Sequence, residues 1–421
     1  MSSSADRLRA AQLLMRVEDG GYSSRLLSRT AGPGIRVRVL GVLRWQRALD
    51  AALSKPMKRP IERLDPEVRA VARLGVFEAS ILGVPPAVAT DGAIHLVRRL
   101  GCGSASGLVN AVLRKAIAGW PAVESAEPPV RLSHPDWIWT RWSAAFGVQA
   151  AEAAMFAAQE PAAVWVWWTH DEAQARVGGA DWELVRHPWC PGAWSVPGHS
   201  AELVRAVEAG EAYAQDPSSQ LVAHVAHGVA GPSSILVDLC AAPGGKAALW
   251  RRLGGRAAPL ALDRHLGRLR MVRPLLESVG GGLAAVADAT MPPLQPGTCE
   301  LVLADAPCSG TGTLRRHPEL KWRLSTAAIG DLATVQAGII EAGLELLTPE
   351  GILLYSTCSV EPEENEHLFE RTPAGFEPVG LTDHLPPGVP WIATPAGGIR
   401  ILPGRDWDGF TMHAVRRNSR Q

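Results

Sequence analysis

Ile235-Leu-Val-Asp238 runs directly into Leu-Cys240-Ala-Ala-Pro243-Gly244-Gly245-Lys246. A short apolar run closed by an acid and a Gly-Gly turn reads as a buried strand feeding a helix. Four later runs repeat the pattern, Pro259–Leu262, Ala284–Ala287, Leu301–Ala304 and Ile352–Tyr355, each bounded by Gly, Pro or Asp. Helical stretches such as Ser219–Val229 and Ala327–Leu347 lie between or beside them. Short buried strands interleaved with helices predict an α/β fold, a Rossmann-like doubly wound parallel sheet over residues 216–421.

In such sheets the ligand lies beyond the carboxyl ends of the strands. The residues at those ends are therefore informative. The five ends carry Asp238 with the loop Cys240–Lys246, then Asp263, Asp288, Asp305-Ala-Pro307-Cys308-Ser-Gly310-Thr-Gly312, and Ser356-Thr357-Cys358-Ser359. The first loop is not a Walker loop, because Cys240 stands where the first Gly is needed and Ala247 follows the Lys. It also lacks GxGxxG. Gly244 and Gly245 still allow close backbone approach to a ligand at a helix N-terminus. Asp263, 19 residues after Gly244, suits a ribose diol, and Asp288 suits an adenine amino group. The alternative for each lone Asp is a turn or helix cap. A nucleoside cofactor without a phosphate demand points to S-adenosylmethionine, approached by Gly244 and Gly245 and met by Asp263 and Asp288.

Cys308 and Cys358 both sit where a nucleophile is exposed; a disulfide between them is the rival reading. A thiol beside a methyl donor fits methylation of pyrimidine carbon 5. A thiolate adds to carbon 6, carbon 5 becomes nucleophilic enough to take the methyl, and elimination ends the cycle. Asp305 is placed to hydrogen-bond the base. These residues alone do not rank the two cysteines.

Outward from this core, residues 6–118 repeat apolar positions at helical spacing, as in Ala10, Leu13, Leu14 and Val17, which predicts about five to seven helices. Ten of the fifteen Trp fall between Trp120 and Trp194. There Ala163–Trp168 and Glu183–Arg186 read as strands of a small α/β subdomain, whose Trp cluster is either packed core or a base-stacking platform. The expected domains are 1–135, helical; 136–215, a connector with the small subdomain; and 216–421.

The 421 residues hold 42 Lys+Arg and 42 Asp+Glu. That zero hides an asymmetry. Residues 1–120 carry 19 basic and 9 acidic side chains, and the remainder 23 and 33. A basic helical part predicts an anionic partner there. Only five basic residues are Lys, against 37 Arg. The first residues lack a signal-peptide core and no run of 18 apolar residues occurs, so a cytosolic protein with no membrane span is expected. No Cys/His cluster has zinc-ligand spacing, so no metal is expected.

DLCAAPGGK, DAPCSGTG, RRHPELKW and STCSVEPEEN resemble the motifs of the Sun (nucleolar-protein-type) family of RNA 5-methylcytosine methyltransferases. KRPIERLDPEVRAVARLGVFEASIL and GLVNAVLRK resemble the NusB-like RNA-binding domain of its bacterial branch, as LSHPDWIWTRWSAAFG and AYAQDPSSQLVA resemble the stretches between. The resemblance covers residues 5–160 and 211–417. It implies methylation of cytosine in 16S ribosomal RNA, with Cys358 as nucleophile and Cys308 assisting product release; a monomer is expected. It also implies cofactor contacts from Cys240–Lys246, Asp263, Asp288 and Asp305. Arg315, Arg316 and Lys321 are the candidates for RNA phosphate contacts. Two departures stand out. The family's Arg-Val-Asn element is here Val164-Trp-Val-Trp-Trp168, and GPGIRVRVLGVLRW lacks the usual acidic residues.

Overall fold

A computed structural model describes residues 4–27, 31–57, 60–172, 174, 184–195, 201–231, 234–370 and 374–418. They fall into two compact units, Met1–Pro161 with Leu314–Arg323, and Ala162–Thr313 with Leu324–Gln421.

The first unit is helical. Six helices are described up to residue 118: Ser4–Glu18, Ser23–Leu26, Pro33–Met57, Pro66–Ser80, Pro86–Arg99 and Ser106–Ala118. Three of them open on a proline, which lacks the N–H a first turn cannot use. Pro66–Ser80 is the axis, with every residue from Val68 to Glu78 buried. Charges on that helix are therefore inside and need partners. Arg73 donates to Asp50 at 2.7 and 2.9 Å, and Glu78 receives Arg38 at 2.6 Å and Arg7 at 2.9 Å. The unit also runs past the boundary expected at residue 135. Helices Asp136–Phe146 and Val148–Gln159 belong to it, burying Ile138, Trp142, Ala151 and Met155. These apolar faces need cover that a linker would not supply.

The second unit carries two sheets. The smaller has strands β1 (Trp165–Trp168), β2 (Val185–Arg186), β3 (Trp194–Ser195) and β4 (Ala212–Ala214), in the order β2-β3-β1-β4, all antiparallel. Of the strand expected at Glu183–Arg186, Glu183 lies outside the described residues. The stacking-platform reading fails for its central tryptophans. Trp165, Trp167, Trp168 and Trp189 are all buried, and three of them share one core with the helices of the larger sheet.

The larger sheet contains β5 (Leu236–Asp238), β6 (Leu260–Asp263), β7 (Leu283–Val286), β8 (Cys299–Asp305), β9 (Leu347–Thr357), β10 (Phe376–Pro378), β11 (Trp391–Ala393), β12 (Ile399–Ile401) and β13 (Phe410–Arg417). Its order is β11-β12-β13-β9-β8-β5-β6-β7, with β10 on β13. All five expected strands are present and parallel. The sheet is mixed rather than wholly parallel, because β10 to β13 join it antiparallel. Side chains alternate between faces. Leu236, Leu301 and Leu303 meet helices Pro217–Ala230 and Gly245–Arg252, whereas Val237 and Val302 meet helix Thr326–Leu346. Each such buried side chain contributes about 1.5–3 kcal/mol. Helix Thr326–Leu346 is long and apolar enough to cross a membrane. Here it buries Ile339, Ile340, Leu344 and Leu346 against β8 and β9. Strand order reverses at β5, with β6 and β7 on one side and β8 and β9 on the other. The crevice of a doubly wound fold opens at that point, beyond the ends of β5 and β8.

Candidate active site

Those two ends are Asp238 and Asp305. Asp238 is enclosed, and its Oδ1 accepts the Cys240 N–H at 3.2 Å. Burial, reinforced by the Asp305 carboxylate and opposed by Lys246, pushes Asp238 up to about 7. Gly244, at φ 107°, turns the loop into helix Gly245–Arg252. Lys246, on the first turn, donates its Nζ to Asp305 Oδ2 at 2.6 Å, and Ser356 Oγ donates to Asp305 Oδ1 at 2.9 Å. Asp238, Cys240, Ala241, Ala242, Pro243, Gly245, Lys246 and Asp305 line one pocket with Tyr213, Gln215 and Ser219. Asp263 and Asp288 lie outside its lining. Asp263 is buried at the end of β6, its Oδ1 accepting the His265 N–H at 2.8 Å. Asp288 is exposed and accepts from Thr290 N and Oγ1, bonds that hold its carboxyl below the usual range.

The two cysteine loops converge on the same rim. Cys308 Sγ and Cys358 Sγ lie 3.3 Å apart, and both are free thiols, which sets aside the disulfide reading. The hydrogen bond to Cys358, then enclosure, holds the Cys308 thiol well above its ordinary value. Either sulfur can donate in that contact. Burial and the nearby Asp238 carboxyl push the Cys240 thiol up as well, which leaves it a neutral wall of the pocket.

What aims the thiols is a buried acid that sequence reasoning left unassigned. Glu364 is fully buried. Its carboxylate accepts from Ser309 N at 2.8 Å, from Ser309 Oγ, and from Gln336 Nε2 at 3.0 Å. Gln336 also donates to Pro307 O at 2.8 Å. Asn365 Oδ1 accepts from Thr357 Oγ1 at 2.7 Å, and its Nδ2 donates to Ser359 O and Glu361 O. Gly312 N donates to Cys358 O at 2.9 Å, tying one loop to the other. The signal was present in STCSVEPEEN, where two adjacent polar residues come after the Cys358 turn. Asp238, Tyr213, Gln215 and Ser219 were likewise unassigned, the last three because a strand and helix distant in sequence bring them in.

The proposed phosphate contacts need correction. Lys321 is buried within the helical unit, its Nζ donating to Arg44 O at 2.8 Å and Ser133 O at 2.6 Å. Burial holds its ammonium well below the usual lysine range. Arg315 is buried too, and its carbonyl accepts two bonds from Arg44. Neither presents a charge to a phosphate. Arg316 alone of the three is half-buried.

An open α/β sheet with a polar pocket at its switch point and a thiol pair beside it is an arrangement suited to a methyltransferase. The sequence matches the model described as 16S rRNA methyltransferase RsmB/F over residues 230–412, and the NusB family over residues 4–118. It is 32% identical to ribosomal RNA small subunit methyltransferase B of Xylella fastidiosa, covering 96% of each chain. It is 31% identical to the protein of that name from Thermus thermophilus, covering 100% of each. NSun6 from Pyrococcus horikoshii, solved with SFG, has the same fold over 68% of this chain and 99% of its own, with a TM-score of 0.56 and 18% identity. The chain belongs to the RsmB/F family of ribosomal RNA methyltransferases.

Proposed function

We propose that this protein methylates carbon 5 of a cytosine in 16S ribosomal RNA, as a monomer in the cytosol, through a covalent bond between Cys358 and the base. The observation that carries this is the free thiol pair, 3.3 Å apart, at the rim that also holds Asp305. S-adenosylmethionine fits the donor set. The pocket sets the Asp305 carboxylate beside the Lys246 ammonium, with Asp238 next to them, so a ligand that carries both an ammonium and a carboxylate meets both signs of charge there. Cys240–Lys246 and Asp305 would hold it, with Asp263 and Asp288 reaching its nucleoside end. When bound, it supplies an electrophilic methyl group.

The chain's own residues do the rest. Cys358 attacks carbon 6 as a thiolate, and the electron pair of the 5,6 double bond moves to carbon 5. Cys308 lies 3.3 Å from Cys358, and an S–H donated across that distance favours the Cys358 thiolate. Asp305, fixed by Lys246 and Ser356, is placed to accept from the exocyclic amine of the base. Once carbon 5 carries the methyl group, it gives its proton to solvent, the C5–H electron pair re-forms the double bond, and Cys358 leaves as a thiolate beside Cys308.

The test is incubation with labelled S-adenosylmethionine and undermethylated 16S or transfer RNA, then digestion to nucleosides. Labelled 5-methylcytidine from 16S RNA is expected. None from any RNA would overturn the reading, and label only in transfer RNA would move the substrate. Cys358→Ala should abolish turnover and covalent capture, and Cys308→Ala should trap protein on RNA as a slow band on a denaturing gel. Reversed phenotypes would exchange the two roles.

A further inference from the structure

Trp167 lies in the strand where the family resemblance calls for an Arg-Val-Asn element. β1 pairs with β4 so that Trp167 faces Tyr213, their ring centroids 5.6 Å apart. Trp167 is 2% exposed, and its Nε1–H donates to Gln215 Oε1 at 2.8 Å. An indole can only donate, so the Gln215 amide must offer it the carbonyl oxygen and turn its nitrogen away. Gln215 Nε2 donates in turn to Ser219 Oγ at 3.0 Å. The nitrogen has a second hydrogen, and the Ser219 hydroxyl, having accepted, retains its own.

Gln215, Ser219 and Tyr213 line the same pocket as Asp238, Lys246 and Asp305. A side chain at Gly245 would begin 2.6 Å from the Tyr213 ring and 3.0 Å from Gln215 Oε1. Glycine there lets the cofactor loop close against this wall. The pocket thus has two kinds of lining. One is acidic, from Asp238 and from Asp305, which is paired with Lys246. The other is a pair of neutral donors, Gln215 and Ser219, with their orientation set from behind by a buried indole.

We propose that Gln215 and Ser219 receive the carboxylate of the amino-acid portion of S-adenosylmethionine, and that Trp167 is the positioning residue that aims the Gln215 amide. This rests on the cofactor reading above. The acidic side takes the cationic groups of the ligand, and the neutral donors take its anionic one. Trp167 touches no ligand and acts only through Gln215.

Calorimetric titration of the full chain with two ligands separates the possibilities. S-adenosylhomocysteine keeps the amino acid, and 5′-methylthioadenosine lacks it. Gln215→Glu keeps an acceptor for the indole but removes the donor and adds a negative charge. It should weaken S-adenosylhomocysteine at least tenfold, and Trp167→Phe should weaken it about fivefold, the loss of about one oriented hydrogen bond. Both variants should hold 5′-methylthioadenosine within about twofold of wild type, which also shows that they are folded. In methylation assays Trp167→Phe should raise KM for the methyl donor with kcat within about twofold. Equal losses for both ligands, or no loss for S-adenosylhomocysteine, would overturn the proposal. A wild-type protein that binds neither ligand would overturn the cofactor reading itself, and this proposal with it.

Discussion

Asp238 offers a test in which the structure sets both sign and size. Its carboxyl is enclosed at the end of β5 and held at about 7 instead of 3.8. The folded state therefore prefers the protonated acid. Stability from this group is complete below the unfolded value and is lost as pH rises through the folded one. A gap of about three units, at about 1.4 kcal/mol per unit, makes the whole loss about 4 kcal/mol. Between about pH 4.5 and about pH 7.5 the share lost is about 3 kcal/mol. Asp238→Asn keeps the shape and removes the ionisation. Urea unfolding monitored by tryptophan fluorescence, with Trp250 buried in the same unit, gives the free-energy difference between variant and wild type at each pH. That difference should move by about 3 kcal/mol in favour of the variant as pH rises across this window. A difference that stays constant with pH would refute the reasoning, because an aspartate that does not titrate abnormally has no reason to produce a slope.

Glu364→Ala orphans the buried Ser309 N–H and removes one acceptor each from Ser309 Oγ and Gln336 Nε2, which keep Ser359 Oγ and Pro307 O. With one donor left unsatisfied at about 1–3 kcal/mol, the variant should lose about 2 kcal/mol in urea unfolding, together with most methylation; a loss below about 0.5 kcal/mol would show that the contacts are dispensable. For RNA binding, the double substitution Arg98→Gln and Arg99→Gln, at exposed positions, should lower the slope of log affinity against log salt by about 1–2. Lys321→Met should destabilise the helical unit yet leave that slope unchanged, and a fall with Lys321→Met would contradict its burial.

The five parallel strands were legible because each is a short apolar run ended by a residue that punctuates. The rim was legible because a doubly wound sheet places chemistry at those ends. β10 to β13 were not. β13 buries Thr411 and His413, and β12 buries Arg400, so hydrophobic patterning misses them although hydrogen bonds satisfy them. Thr411 donates to Ser359 O, and Arg400 donates to Glu366. The polar clamp of Glu364 and Asn365 was invisible for the same reason, since an acidic run reads as solvated surface until its donors are seen. Lys321 misled in the opposite direction. A rare lysine in an arginine-rich chain invited a chemical role, whereas its compact ammonium fits a site between two carbonyls. The ranking of Cys358 over Cys308 came from resemblance, because two thiols 3.3 Å apart on one rim are geometrically alike.

The helical unit is completed by Leu314–Arg323, with Glu319 accepting from Ser23 and Arg323 donating to Val17 O and Gly21 O. These partners are made far apart in time. After Pro161 is added, a translating ribosome must add about 160 more residues before Arg323 exists, roughly 8–30 s at ordinary elongation rates. Over that interval the nascent basic domain stands with a vacant seat and with the carbonyls of Arg44 and Ser133 still waiting for Lys321. The two halves of this enzyme are consequently not interchangeable parts. A fusion that transplanted only the first 161 residues would carry away a domain with a piece of itself left behind.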